Sequence, residues 1–330
     1  MTAAALSGPG SAGGSRGRRA FRTLLPGLSL AIVILAIAGF NPRAISYMGF
    51  NLMLNLATPV ALATIAQMCL LGVNDIDLST GSYVGFVACV TATWLPGSPL
   101  LGALALVGCI AAYACMGALV HLRKLPSIVV TLGMNFVWLG LAILLRPTPG
   151  GTSPAWLHTL MSLPVPWIPL PVVLAAVLAL VTHWLFMRSA YGTILRGTGG
   201  NSDAVARAGW SMLKAKVAMY SLAGFFGVLS GMTLVGVTTS ADANMANGYT
   251  LLSIAAAILG GAEFTGGRIS PVGAVIGALT LQLITSALSF FYIPQFPALR
   301  IPPEWQVGAQ GIILIIILAI RAFINQKDLQ

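Results

Sequence analysis

Runs of about twenty apolar residues, separated by short polar stretches, recur along the chain from Leu24 to near its C-terminal end. A run of that length crosses roughly 30 Å of hydrocarbon as an α-helix. Ten are predicted, at 24–40, 50–72, 78–95, 99–121, 127–145, 166–187, 214–237, 249–262, 270–292 and 304–322. The eighth is short and reads as a broken or re-entrant element, and glycine and polar residues also interrupt the pattern at 72–81 and 260–267. The pattern predicts an all-α, polytopic integral membrane protein of about ten transmembrane helices, with its membrane domain at 23–324 and a short cytoplasmic tail at 325–330. The first 22 residues, rich in Gly, Ala and Ser with four arginines, read as a disordered basic cytoplasmic tail. The run at 24–40 is long and lacks a clear small-x-small cleavage site, so it reads as an uncleaved first helix rather than a signal peptide.

Composition agrees: 57% hydrophobic and 7% charged residues do not make a soluble globular domain. The charges add an orientation. Threading ten helices from a cytoplasmic N-terminus places fourteen of the seventeen basic residues inside, among them Arg123, Lys124, Arg188, Arg196, Arg207, Lys214, Lys216 and Arg268. Only Arg43, Arg146 and Arg300 fall outside. Both termini are therefore expected in the cytoplasm. The net charge of +10 is then chiefly a topology signal and a source of lipid-headgroup contact, and no soluble basic domain is present to bind nucleic acid. The outer loop after Arg146 carries prolines that cannot continue a helix, and Trp156 and Trp167 suit a membrane interface.

Catalytic and metal chemistry finds little footing. Cys69, Cys89, Cys109 and Cys115 lie in predicted spans without C-x-x-C spacing, and His121, His158 and His183 are far apart. No paired catalytic carboxylates or nucleophile motif are visible. None of the four lysines follows a glycine, so a phosphate-cradling G-x-x-x-x-G-K-[ST] loop cannot be written. No cofactor is expected on this chain. If transport uses ATP, then ATP and magnesium belong to a partner polypeptide.

The largest predicted cytoplasmic loop, 188–216, contains LRGTGGNSDAVARAGW. Asn201 or Ser202 can cap a helix N-terminus, Asp203 suits its positive end, and Gly209 can end it in the left-handed conformation. With Gly199 and Gly200 in front, this predicts a short helix at 202–208 between glycine hinges. Its small residues, Ala204 among them, permit close approach to a partner surface, or to the protein's own membrane domain.

Four motifs carry a family resemblance. GGNSDAVARAG resembles the cytoplasmic G-G-N-x-x-A-A-x-x-x-G segment of the monosaccharide-type permeases of bacterial ABC importers, the ribose, xylose and arabinose permease family. VNDIDLSTGS, at 73–82, is similar to that family's G-G-I-D-L-S-V-G-S. PSIVVTLGM and SIAAAILGGAEFTGGRISPVGAVIGAL, at 126–134 and 253–279, resemble two further family segments in the same order. There are departures. Asn74 and Asp75 stand where the family usually has Gly-Gly, Thr250 and Leu252 where it commonly has Glu and Asp, and Val205, Ala206 and Arg207 where it has Ala-Arg-Leu.

The resemblance implies the transmembrane subunit of an ABC importer in a bacterial inner membrane. It would form the path for a sugar delivered by a periplasmic binding protein, beside a second permease chain, a homodimer mate or paralogue. A cytoplasmic ABC ATPase would supply the power through Gly200, Asn201, Asp203, Ala204, Arg207 and Gly209. Asn74, Asp75, Asp77, Ser79, Asn135 and Gln282 are candidates for the translocation path; Asp77 alternatively caps the helix starting at Leu78. Asn51, Asn55 and Gln67 are further polar groups within spans. Gly260, Gly261, Gly266, Gly267, Gly273 and Gly277 serve helix packing or a hinge, with Gly273 and Gly277 at the four-residue spacing that lets helices approach in lipid. Asp242, Arg300 and Glu304 are candidates for docking the binding protein. A branched-chain amino acid permease and an ion-coupled secondary transporter are the alternatives; the latter wants an ionisable residue deep in the bundle, which only Asp75 and Asp77 approach.

Overall fold

The computed structural model describes residues 12–40 and 42–290, with isolated positions at 308, 311, 312, 315 and 319. The chain is all-α. In order come α1 (Ala12–Phe40), α2 (Tyr47–Met53), α3 (Ala57–Leu71), α4 (Thr80–Gly97), α5 (Pro99–Arg123), α6 (Ser127–Leu145) and α7 (Ala155–Met161). There follow α8 (Leu170–His183), α9 (Ala190–Gly200), α10 (Ser202–Arg207), α11 (Met212–Thr238), α12 (Tyr249–Leu259) and α13 (Pro271–Phe290). A π-helical turn, Trp184–Arg188, continues α8. Among the described residues there is no sheet, only an isolated antiparallel bridge between Gly150 and Ala241.

The expected count of ten spans is corrected. Among the described residues five helices are long and apolar enough to cross a membrane: Pro99–Arg123, Ser127–Leu145, Leu170–Arg188, Met212–Thr238 and Pro271–Leu288. A sixth follows if α2 and α3, bent by 45° at their junction, form one broken span. The shortfall has physical causes. Leu24–Gly39 and α12 are apolar but short. The apolar run at 78–95 becomes α4, diluted by Thr80, Ser82, Thr91 and Thr93 and carrying Pro96 in its last turn. The predicted tenth span, 304–322, lies outside the continuously described residues. Helix α1 starts at Ala12 and so includes Arg16, Arg18, Arg19 and Arg22, which the sequence reading places in an unstructured tail.

Helix α3 is the centre of the bundle: all fifteen of its residues are buried. A helix that is apolar all round belongs in such a place. Around it, α11 packs on α3, α4 and α5 by seating side chains over its own glycines. A Cβ at Gly227 would lie 2.5 Å from Tyr83, and Gly224 and Gly231 take Tyr113 and Val87 in the same way. By contrast, α12 and α13 meet backbone to backbone. A Cβ on Gly273 would overlap the carbonyl of Gly260, and one on Gly277 the carbonyl of Ala256. Small residues allow this approach where hydrophobic burial gives no advantage over lipid.

The connections sort the charges between two ends. One end carries Arg123 and Lys124 after α5, Arg188 after α8, all of α9 and α10, Lys214 and Lys216 at the start of α11, and Arg268 before α13. The opposite end carries Arg146. There Gly150 and Ala241 bond reciprocally, Thr152 N–H donates to Ala92 O at 3.1 Å and Ser153 N–H to Thr239 O at 3.0 Å. Trp156 and Trp167 are exposed at that end. Helix α7 lies against α11, with His158 Nδ1 3.2 Å from Gly236 O.

Candidate functional site

Between α3 and α4 the chain passes through 72–79 without regular structure, and its polar groups are nearly all engaged. Asp77 is 2% exposed. Its Oδ1 accepts from Ser79 N–H at 2.7 Å and Ser79 Oγ–H at 2.6 Å. Its Oδ2 accepts from Tyr113 Oη–H at 2.6 Å and Thr80 Oγ1–H at 3.0 Å. Four uncharged donors thus converge on one buried carboxyl group. Gln67 of α3 completes the cluster. With its amide oriented to suit its neighbours, its oxygen accepts from Asp77 N–H and its nitrogen donates to Asp77 O, both at 3.1 Å. On the α6 side, Thr131 Oγ1 accepts from Leu78 N–H at 3.1 Å and Ser127 Oγ from Ile76 N–H at 3.3 Å.

The capping expectation for Asp77 needs correcting in position. Helix α4 begins at Thr80, not Leu78, and the N–H that Asp77 takes belongs to Ser79, ahead of the helix. Asp77 braces the turn that leads into α4.

Asp75, 7% exposed, points elsewhere: Lys216 Nζ lies 2.8 Å from its Oδ2, and Tyr220 Oη–H donates to the same oxygen at 3.0 Å. Asn74 has a φ of +61°, a left-handed conformation that asparagine tolerates better than most residues. Its Nδ2 donates to Gly199 O at 2.8 Å, and its Oδ1 accepts from Gly267 N–H at 3.4 Å. Asn74 and Asp75 therefore face away from the Asp77 cluster, toward α9, α11 and the 260–270 turn. Asn135 and Gln282 are not brought to them. Asn135 accepts from Ser82 Oγ–H at 2.7 Å between α6 and α4, while Gln282, also buried, donates to Ser286 on α13. Asn51 is half-buried and Asn55 exposed.

The short helix at the basic end forms much as its residues foretell. Asn201 Oδ1 accepts from Ala204 N–H at 2.9 Å, Asp203 sits in the first turn, Arg207 in the last, and no residue of α10 is buried. It ends one residue early, with Ala208 as its C-cap, and Gly209 follows at φ +83°. Of the two predicted hinges, only Gly209 has the left-handed conformation, however. Gly199 and Gly200 form the last turn of α9, and Gly199 is glycine for space: a Cβ there would overlap Gly72 O and approach Gly267. Gly267, at φ +64°, would in turn strike the carbonyl of Arg196. Gly261 and Gly266 share its left-handed turn, at φ +110° and +87°. Beside this junction a groove of about 390 Å³ runs between Thr193, Arg196 and Gly197 on one side and 266–269 on the other.

At the opposite end Asp242 is half-buried and accepts from Asn244 N–H at 2.8 Å. Arg300 and Glu304 lie outside the described residues. No group of three or more His, Cys, Asp or Glu side chains that would hold a metal occurs among the described residues.

The sequence reading missed Tyr113 and Tyr220. Both stand in apolar runs, where an aromatic residue reads as core, and both are core; the signal of a role is a phenol buried opposite a carboxylate, which needs the fold.

Comparison with known proteins places this geometry. Over 278 residues, covering 82% of this chain and 86% of its own, the ribose import permease protein RbsC of Escherichia coli K12 is 26% identical. The autoinducer 2 import system permease protein LsrC of Yersinia pseudotuberculosis is 28% identical over 302 residues, 88% of this chain and 82% of its own. No solved structure matches the chain. Residues 45–318 match the family model described as branched-chain amino acid transport system / permease component. This multi-pass helical chain belongs to that family, and is a permease component of a transport system rather than an enzyme.

Proposed function

We propose that this chain forms the translocation path of an ABC-type importer for a sugar, delivered by a substrate-binding protein and powered by ATP and magnesium on a separate ATPase. The observation that carries the reading is α10: a capped helix with no buried residue at the basic end, rooted through Gly199 in a junction too tight for any side chain. Such an element can receive a push from a partner and deliver it to the bundle. The basic end faces the cytoplasm by the positive-inside rule, and the Arg16–Arg22 stretch at the start of α1 belongs on the same side, with the C-terminus. ATPase domains act in pairs, so a second permease chain completes the assembly. The ribose permease relative supports sugar as cargo. The family's description supports a branched-chain amino acid instead.

One experiment decides between them. The chain is purified with its ATPase and binding protein in lipid nanodiscs, and ATP hydrolysis is measured with ribose, xylose, arabinose, leucine, isoleucine and valine. A sugar is expected to raise the rate several-fold; stimulation by an amino acid alone selects the second reading, and stimulation by neither removes both. In the same assay Asp203→Lys on α10 is expected to reduce stimulated hydrolysis, because it reverses the charge at the exposed helix start without touching a buried group. Unchanged hydrolysis and ATPase retention in that variant and in Arg207→Glu would place the ATPase contact elsewhere. At the opposite end, the turn holding Asp242 is the described part of a docking face for the binding protein, with Arg300 and Glu304 as its proposed companions. Asp242→Lys is expected to weaken stimulation more at low salt than at high salt, as exposed charge pairs do. Equal loss at all salt concentrations would mark a structural defect instead.

A further inference from the structure

The connection between α3 and α4 is bonded to several elements that meet at the basic end. Asn74 holds the last turn of α9 through Gly199 O and the 260–270 turn through Gly267 N–H. Asp75, the next residue, holds α11 through Lys216 and Tyr220. Two residues further on, Asp77 holds α5 through Tyr113 and, through Gln67, α3. The contacts at Gly72, Gly199 and Gly267 are backbone on backbone, so the three segments cannot slide past one another by changing rotamers. Helix α10 follows α9 directly at Asn201 and precedes α11 by a short turn.

We infer that Asn74 and Asp75 form the joint that carries movement of α10 into the bundle, rather than lining the substrate path. A displacement of α10 pulls on both of its neighbours, α9 and α11. Asn74 grips the first and Asp75 the second, so the two pulls converge on adjacent residues. From there they reach Asp77 and the entry of α4 on one side. On the other side, Gly267 passes them to α13, locked to α12 by Gly260 and Gly273. The Asp75–Lys216 pair suits the task because it is largely shielded, with the carboxylate side chain 9% and the ammonium side chain 21% exposed. Breaking one partner of a buried pair costs far more than breaking a surface pair. The Arg268–Glu263 ion pair, by contrast, is longer at 3.4 Å and less shielded, with side chains 65% and 32% exposed. Asn74 is a positioning residue in this scheme: it acts on Gly199 and Gly267, not on substrate.

The inference rests on the reading of α10 as the ATPase contact, and its test separates the two. In the nanodisc complex, the quantity read is the ratio of hydrolysis with the loaded binding protein to hydrolysis without it, using whichever solute stimulates the wild type. Asn74→Gly keeps the positive φ comfortable and removes both side-chain bonds. It is expected to lower the ratio roughly fivefold, the scale of one net hydrogen bond, while the ATPase still co-purifies. Asn74→Asp keeps the acceptor for Gly267 N–H and loses the donor to Gly199 O, so it is expected to fall in the same direction. Lys216→Gln is expected to lower the ratio as well, with Lys216→Arg restoring it. Because both grips serve one joint, the Asn74→Gly and Lys216→Gln double variant is expected to lose less than the product of the two single losses. A stimulated wild type whose ratio stays within about twofold in Asn74→Gly, Asn74→Asp and Lys216→Gln overturns the joint and leaves the importer reading standing. A wild-type complex that shows no stimulation overturns the importer reading, and the joint with it. Strict multiplication of the two single losses also overturns the joint, since it would mean two independent contacts.

Discussion

Replacing Asp77 with leucine is expected to destabilise the folded chain by on the order of 3 kcal/mol or more, read as a large drop in thermal midpoint in detergent. The side chain is buried and surrounded by donors: Tyr113 Oη, Ser79 Oγ and N, and Thr80 Oγ1 all point at it. Leucine would leave four of them facing hydrocarbon, and an unmet buried donor costs more than a formed bond contributes. Asp77→Asn is expected to cost less, about 1–2 kcal/mol, because hydroxyls can rotate to accept from its amide. The pair of variants also separates structure from transport. An Asp77→Asn chain that is nearly as stable as wild type but fails to move substrate would show that the negative charge serves the path. If Asp77→Leu unfolds at the wild-type midpoint, the hydrogen-bonded cluster is not what holds the α3–α4 turn.

The second large effect is expected at the contact of α12 with α13. Gly273→Leu would drive a Cβ into the carbonyl of Gly260. The Cβ position is fixed by the backbone and the carbonyl is backbone too, so no rotamer change relieves the overlap and the helices must separate. The cost is expected to exceed about 3 kcal/mol, the upper end of ordinary overpacking, and little monodisperse protein should survive detergent extraction. Gly273→Ala meets the same obstacle and is expected to share the loss. Gly108→Leu on α5 is the internal control, since nothing lies within 4 Å of a Cβ there. Comparable recovery of Gly273→Leu and Gly108→Leu on size-exclusion chromatography would refute the close approach.

These two sites were not equally visible in the amino-acid sequence. Gly273 and Gly277 announce themselves, because small residues four apart in an apolar run have few other uses in a membrane. Asn201 and Asp203 likewise mark a helix start by local chemistry alone, and α10 begins where they place it. The Asp77 cluster was half visible: a carboxylate just ahead of Leu78 suggested a helix cap, yet Tyr113 lies 36 residues away and lacks any local sign. The Asp75–Lys216 pair joins positions from different loops, and Lys216 by itself is one more basic residue at a membrane boundary. Gly199 was read as a flexible hinge when its lack of a side chain serves close packing. The helix count overshot for a related reason. Hydropathy measures apolar length, and it cannot tell a span facing lipid from α3, enclosed on every side, or from α4, whose polar residues find partners inside the bundle.

The two ends of the molecule are fastened by different materials. At the end with Arg146, three ties between segments run through main-chain groups alone, Gly150 with Ala241, Thr152 with Ala92 and Ser153 with Thr239, beside the side-chain bonds of Arg146 to Thr93 and His158 to Gly236. At the basic end they run through the side chains of Asn74, Asp75 and Lys216. Main-chain ties are indifferent to which residue supplies them, provided its backbone angles are allowed. The loops at that end can therefore drift in sequence, wherever the backbone angles allow, without loosening those ties. The junction at the basic end has no such licence: there a change of side chain removes the tie itself, so the same substitution rate wears the two ends unequally.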